Sequence, residues 1–196
     1  GGGGGGLAQV DNLYSYEFDG VGSFIRASGN DISGDKTVSI WFYADDITLS
    51  DALFEIQPVP NANDYLRIWT FGSKILATSG PVNADGKSSS TLLSNTWYHL
   101  VVTKTTGSVT GIYINGVDDT QTANATLSFT AGDNGDTIIG RSASANRVFK
   151  GKMDEVALFN TVLGATDVEN IYNATTTGKT ADLSSLSPVA WYRMGD

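Results

Sequence analysis

Short runs of β-branched and aromatic residues, each ended by a glycine- or asparagine-rich turn, recur along almost the whole chain and confine it to all-β folds. Thr37 to Ala44 (TVSIWFYA) is apolar on both faces, the pattern of a central strand with core on both sides, or with core on one and ligand on the other. Asn95 to Lys104 (NTWYHLVVTK) alternates: Trp97, His99, Val101 and Thr103 point one way, and Tyr98, Leu100 and Val102 the other. Asn115-Gly116 favours positive φ at both positions and predicts a two-residue hairpin turn. Tyr14 to Ala27 reads as two β runs around a tight turn at Asp19 to Gly22. Further strands are expected over Leu53 to Ile56, Leu66 to Phe71, Ile75 to Thr78, Thr137 to Gly140 and Gly151 to Phe159. Asn83 to Ser90 is small and polar and reads as an exposed loop.

One helix is expected, over Ala165 to Ala174, because Val168, Ile171 and Tyr172 fall on one face. Thr166 is its expected N-cap, with Glu169 three residues on, and the helix is expected to lie across one end of the fold. Thr175 to Ser187 reads as a polar linker, and Pro188 opens a last strand, Val189 to Met194. Many strands, regular turns and so little helix in 196 residues point to a sandwich rather than a barrel. With 40% hydrophobic residues such a domain has a sizeable core.

The absence of cysteine excludes a disulfide framework, thiolate catalysis and Cys-bound zinc. A net charge of −9 argues against nucleic acid, whose phosphates it repels, and suits hard cations such as calcium. No apolar run is long enough to enter and cross a membrane as a helix. Gly1 to Gly6 is a flexible linker, an added leader, or the end of a glycine-rich fibre stalk.

Three segments taken in order, YEFDGVGSFIRA, NTWYHLVVTKTTGSVTGIYINGV and FKGKMDEVALFNTVLGATDVENIYNA, resemble the laminin G-like family of the concanavalin A-like lectin/glucanase superfamily. The resemblance covers about Ser15 to Ala174. It implies an antiparallel two-sheet jelly-roll sandwich with one short C-terminal helix, and a concave face or rim loops that bind sugars. Residues 1–12 are then a glycine-rich linker or stalk end, 13–175 the sandwich, and 176–196 a linker plus terminal strand. The tail, LSPVAWYRMGD, resembles the family's first strand, which ordinarily precedes the FDG segment. Coming last, it begins another domain or completes the sandwich, in this chain or by exchange with a neighbour. Similar segments occur in laminin G-like proteins of tailed marine phages, which points to an extracellular, cell-surface or virion setting.

Catalysis is not expected. Glucan-cleaving relatives carry acidic residues alternating along one strand, whereas the four glutamates here, Glu17, Glu55, Glu155 and Glu169, are scattered. Asp45 and Asp46 are adjacent and point to opposite sides of an extended chain. His99, the single histidine, reads as structural. The resemblance implies a structural calcium at Asp154, with Asp19 and Gly22 contributing. For glycan binding the best candidates are Tyr65, Arg67 and Trp69, which alternate onto one face, with Asn61 and Asn63 in the polar loop before them. The expected function is a non-catalytic carbohydrate-binding or adhesion module whose partner is a glycan or cell-surface polysaccharide, within a homo-oligomer or larger assembly. The alternative is a structural subunit of a fibre or capsid decoration that assembles by strand exchange.

Overall fold

In the computed structural model, residues 6–31, 34–58, 66–79, 85–105, 108–122, 134–143 and 146–195 are described. The strands are β1 (Gln9–Asp11), β2 (Tyr16–Asp19), β3 (Ile25–Asp31), β4 (Lys36–Ala44), β5 (Ala52–Pro58), β6 (Leu66–Phe71), β7 (Lys74–Ser79) and β8 (Asp85–Ser88). They continue with β9 (Trp97–Thr105), β10 (Ser108–Ile114), β11 (Val117–Asp118), β12 (Thr120–Thr122), β13 (Asn134–Ile139) and β14 (Lys150–Phe159). The helix α1 (Ala165–Asn173) follows, then β15 (Lys179–Ala181) and β16 (Ala190–Tyr192). All ladders are antiparallel, as the jelly-roll expectation requires.

Sheet I runs β11-β10-β9-β4-β14, and the far edge of β14 is shared by β2 and β16. Sheet II runs β12-β8-β7-β6-β5-β13-β3. Between them lies one core. Sheet I supplies Val38, Ile40, Phe42, Leu100, Val102 and Val156, and sheet II supplies Phe54, Ile56, Leu66, Ile68 and Ile75. The alternation read in β9 holds: Leu100 and Val102 face this core, while His99 and Val101 face outward. Each such side chain taken from water contributes about 1.5–3 kcal/mol before entropy is counted. The Asn115-Gly116 turn also forms as expected, with φ of 52° and 81° and Ile114 paired to Val117.

The turn expected at Asp19 to Gly22 forms a corner between the layers, because β2 belongs to sheet I and β3 to sheet II. Four local readings are corrected. The stretch read as an exposed loop contains β8. Gly86 lies so close to β10 that a Cβ would sit 2.5 Å from Val109 Cγ1, and the hydroxyl of Ser88 accepts the Ile75 N–H at 2.9 Å. Small residues permit that approach, so their polarity does not mean exposure.

The helix does not cross an end of the sandwich. Val168 and Ile171 pack on the outer face of sheet I, against Val101, Ala157 and Phe159. Its N-cap is Gly164 in extended conformation, with no side-chain cap, so Thr166 falls inside the first turn. Asp167, also in that turn, supplies the favourable negative charge. The supposed linkers are structured as well: β1 pairs with β15, and Thr180, Ala181 and Leu183 are buried. The last strand, β16, seats on β14 of the same chain, with Val156 opposite Tyr192 and Leu158 opposite Ala190.

Where β14 changes partner it bulges. β2 pairs with Lys150 to Met153 and β16 with Val156 to Leu158, and the register against β4 slips between Asp154 and Ala157. Glu155 sits in the slip with φ 49°.

Candidate functional site

Among the described residues the outer face of sheet II carries no helix, and charge gathers there by strict alternation. Glu55 of β5 stands opposite Arg67 of β6 and Ile138 of β13, while Arg26 of β3 stands beyond Ile138. Arg67 donates to both carboxylate oxygens of Glu55, at 2.8 and 3.3 Å, and the backbone N–H of Ala143 reaches the same carboxylate at 3.4 Å. Glu55 has no solvent exposure, so its charge is held entirely by these donors. Arg26 pairs with Asp136, its Nε donating at 2.8 Å.

Trp69 lies one alternation beyond Arg67, as expected. The Arg147 guanidinium sits 4.1 Å over its ring centroid and that of Arg67 is 5.8 Å away. Arg147 comes from the loop after β13 and is anchored by donating to the Ser50 carbonyl at 3.1 Å. Burial, followed by the like charge of Arg67, lowers the Arg147 pKa. From the same loop, Arg141 lies 3.7 Å over Phe24. Next to Arg147, burial and the charge of Asp46 push the Asp51 carboxyl up to about 6. Phe71 leaves the end of this face half exposed, 6.4 Å from Trp69.

The two halves of the expected sugar site therefore fare differently. Arg67 and Trp69 share one face, but one side of the indole is occupied by Arg147 instead of standing open for stacking. Asn61, Asn63 and Tyr65 lie outside the described residues. Sequence reasoning missed Glu55, Asp51, Phe71, Arg141 and Arg147. The alternation with Arg67 is visible only once β5 is paired with β6, whereas the loop arginines carry no periodic signal.

The opposite outer face, on sheet I, has a cleft of about 460 Å³ between the segment at Asn12 to Ser15 and the turn at Thr175 to Lys179. Trp41, Trp97 and buried Asp154 form its floor. Trp41 stacks on His99 at 5.1 Å and on Tyr172 at 5.9 Å. His99 is fully buried, with Nε2 2.9 Å from the Ser39 hydroxyl and Nδ1 unbonded among the described residues. Burial pushes its pKa down to about 3, so the ring is neutral. It is a packing histidine with one unsatisfied nitrogen.

The residues expected to hold calcium are not brought together. On β14 it is Lys150 that faces Asp19, and Asp154 lies four residues further along, about 13 Å at strand spacing. Asp19 Oδ1 already accepts the N–H groups of Val21, Gly22 and Ser23 at 2.8 to 3.0 Å. Those bonds hold its carboxyl well below the usual carboxylate range. No cluster of three His, Cys, Asp or Glu side chains suited to a metal occurs among the described residues. Asp19 and Gly22 thus form a corner of their own and do not fit a site shared with Asp154.

Solved structures share this architecture. Native heptameric SAP-like pentraxin from Limulus polyphemus superposes with a TM-score of 0.67 at 11% identity, over 81% of each chain. Domain 4 of AbnA, a GH43 extracellular arabinanase from Geobacillus stearothermophilus in complex with arabinotriose, gives 0.66 at 24% identity, over 85% of this chain and 81% of that one. NanB sialidase from Streptococcus pneumoniae gives 0.60 at 18% identity, over 84% of this chain but 28% of that enzyme. A comparison with curated protein sequences returned no match. The Laminin_G_3 model, described as concanavalin A-like lectin/glucanases superfamily, matches residues 19–169. With that match spanning most of the sandwich, the chain belongs to the laminin G-like family of the concanavalin A-like lectin/glucanase superfamily.

Proposed function

We propose that this chain is a non-catalytic carbohydrate-binding module whose glycan surface is the outer face of sheet II. The observation that carries the reading is the Glu55–Arg67 pair beside Trp69. A rigid, charge-assisted hydrogen-bond grid next to an indole is what sugar recognition needs, and it stands on strands instead of loops. AbnA domain 4, with arabinotriose bound, lends support as a structural neighbour. The acids are poorly placed for glycoside cleavage: Glu55 is locked by Arg67 on sheet II, while Glu155 faces the other way on sheet I.

A glycan array with the whole chain tests this. Reproducible binding that falls at least about tenfold in Trp69→Ala, with the far-ultraviolet circular dichroism unchanged, supports it. An array without any bound glycan overturns it. An extracellular, cell-surface or virion location and assembly into oligomers are part of the same proposal, the latter read by light scattering. The rival reading is a fibre or capsid brick built by strand exchange, in which the β16 seat on β14 would be taken by the same strand of a neighbouring copy. Calcium, if bound, would have to run through Asp154 without Asp19. A calcium-dependent rise in Tm that Asp154→Asn abolishes and Asp19→Asn preserves is the test.

A further inference from the structure

The cleft of about 460 Å³ on the helix-bearing side of the sandwich has no part in the sheet II site. Strand alternation places its two indoles. Trp41 of β4 stands opposite His99, and Trp97 of β9 stands opposite Tyr43, so the two are diagonal neighbours on one face. Their surroundings differ. Trp41 is held between layers of the fold by stacking on His99 and Tyr172. Trp97 has Tyr43 at 5.8 Å between ring centres and is still 38% exposed. An indole left open at the floor of a concavity gives up burial that a core position supplies, and offers an apolar ring to a ligand.

The walls are tied to each other before any ligand arrives. The Asn12 N–H donates to the Gly178 carbonyl at 2.9 Å, and β1 pairs with β15. The residues along them are mainly neutral and polar: Asn12, Ser15, Thr175, Thr176 and Thr177. The Thr175 hydroxyl donates to the Ile171 carbonyl at 3.3 Å, and that of Thr176 accepts from Gln9 at 3.3 Å. The Asn12 amide and the hydroxyls of Ser15 and Thr177 have no side-chain partner among the described residues. Such groups both donate and accept, as sugar hydroxyls do. Two charged residues join the lining, and both are engaged: Asp154 Oδ1 accepts the Glu155 N–H at 2.8 Å, and Lys179 pairs with Asp11 at 3.2 Å. An anion would meet Asp154 and a cation Lys179, whereas a neutral ligand disturbs neither.

We infer that this cleft is a second saccharide site, taking a neutral oligosaccharide whose pyranose ring packs on Trp97 while Asn12, Ser15 and Thr177 bind its hydroxyls. The volume suits about two such rings. The site lies on the face opposite Trp69 and stands or falls independently of the sheet II reading. With both sites filled, one copy of the chain bridges two glycans.

Proton–nitrogen correlation spectra of the whole chain test it, because the four tryptophans give separate indole signals, each assigned from a tryptophan-to-phenylalanine variant. The probes are cellopentaose, xylopentaose, mannopentaose and laminaripentaose, each added to about 10 mM so that a Kd of about 1 mM is read. At least one should shift the Trp97 and Trp41 signals saturably, and that shift should persist in Trp69→Ala. In Trp97→Ala, followed on the Trp41 signal, affinity should fall at least about tenfold. In Thr177→Val it should fall about threefold. If Trp97→Ala does not fold, the wild-type shifts and Thr177→Val still decide. Shifts at Trp69 alone overturn this inference and leave the sheet II reading standing. Shifts at Trp41 and Trp97 alone support it, whatever a glycan array shows for sheet II. No shift with any probe, or full affinity in both cleft variants, overturns it. So does a Trp97 signal that moves only with protein concentration, which puts a second copy of the chain in the cleft.

Discussion

The carboxylate of Glu155 accepts the indole N–H of Trp191, and this bond fastens the last strand to the bulge in β14. Arg193 approaches the same carboxylate at 3.5 Å and also donates to the carbonyl of Asp11. A buried acid at a strained turn thus joins β16, β14 and the first strand. Burial outweighs the Trp191 and Arg193 bonds and pushes the Glu155 carboxyl up to about 7.

The pH dependence of stability follows from three groups, two carboxyls of one sign and an imidazole of the other. Glu155 is more readily protonated when folded, so its contribution is present below about 4.5 and is lost as pH rises through about 7. Asp51, raised to about 6, acts in the same direction over a lower range. His99, lowered to about 3, stays neutral when folded. Its contribution is present above about 6.5 and is lost as pH falls through about 3. Between roughly pH 4.5 and 6.5 the slopes oppose, giving a broad plateau with a fall below it. Glu155→Gln should steepen the acid loss, and His99→Gln should make stability rise as pH falls. Urea unfolding at half-unit pH steps reads both, and identical profiles in all three proteins would refute the assignment.

Arg67→Ala leaves the Glu55 charge buried, with the distant Ala143 N–H as its remaining donor among the described residues. A loss of about 3 kcal/mol or more is expected. Glu55→Gln/Arg67→Met should cost clearly less than the two single changes added together, as a double-mutant cycle in urea will show.

Gly86→Ala places a methyl 2.5 Å from Val109 Cγ1, on a strand that cannot recede without breaking its pairing with β7. About 1–3 kcal/mol should be lost. The same change at Gly22, which has nothing within 4 Å of its missing Cβ, should cost much less.

Trp191→Ala removes both the donor to Glu155 and a ring packed on the helix-bearing face. A fall in stability of about 2–4 kcal/mol is expected. Exposure of the β14 edge should appear as concentration-dependent association in size-exclusion chromatography.

Most of the strands could be read from alternation, because inner and outer faces differ wherever one side meets the core. Leu100 and Val102 against His99 and Val101 show this plainly. β8 escaped because Gly86 and Ser88 pack through smallness, which hydropathy does not register. Asp19 and Asp154 are kept apart for another reason: the residue opposite Asp19 is chosen by the pairing of β2 with β14, which residue type alone does not specify. Arg67 and Trp69 were placed on a common face by period two. The loop arginines that complete the site required knowing where the chain returns after β13.

Pairing of β1 with β15, and the bond from Arg193 to the Asp11 carbonyl, put the beginning and end of the described chain on the same flank of the sandwich. Leu7 and Trp191 both pack with the helix cluster, on the layer opposite Trp69. The chain therefore enters at Leu7 and leaves after Trp191 on the helix side of the module, and the layer bearing Trp69 is left clear of both.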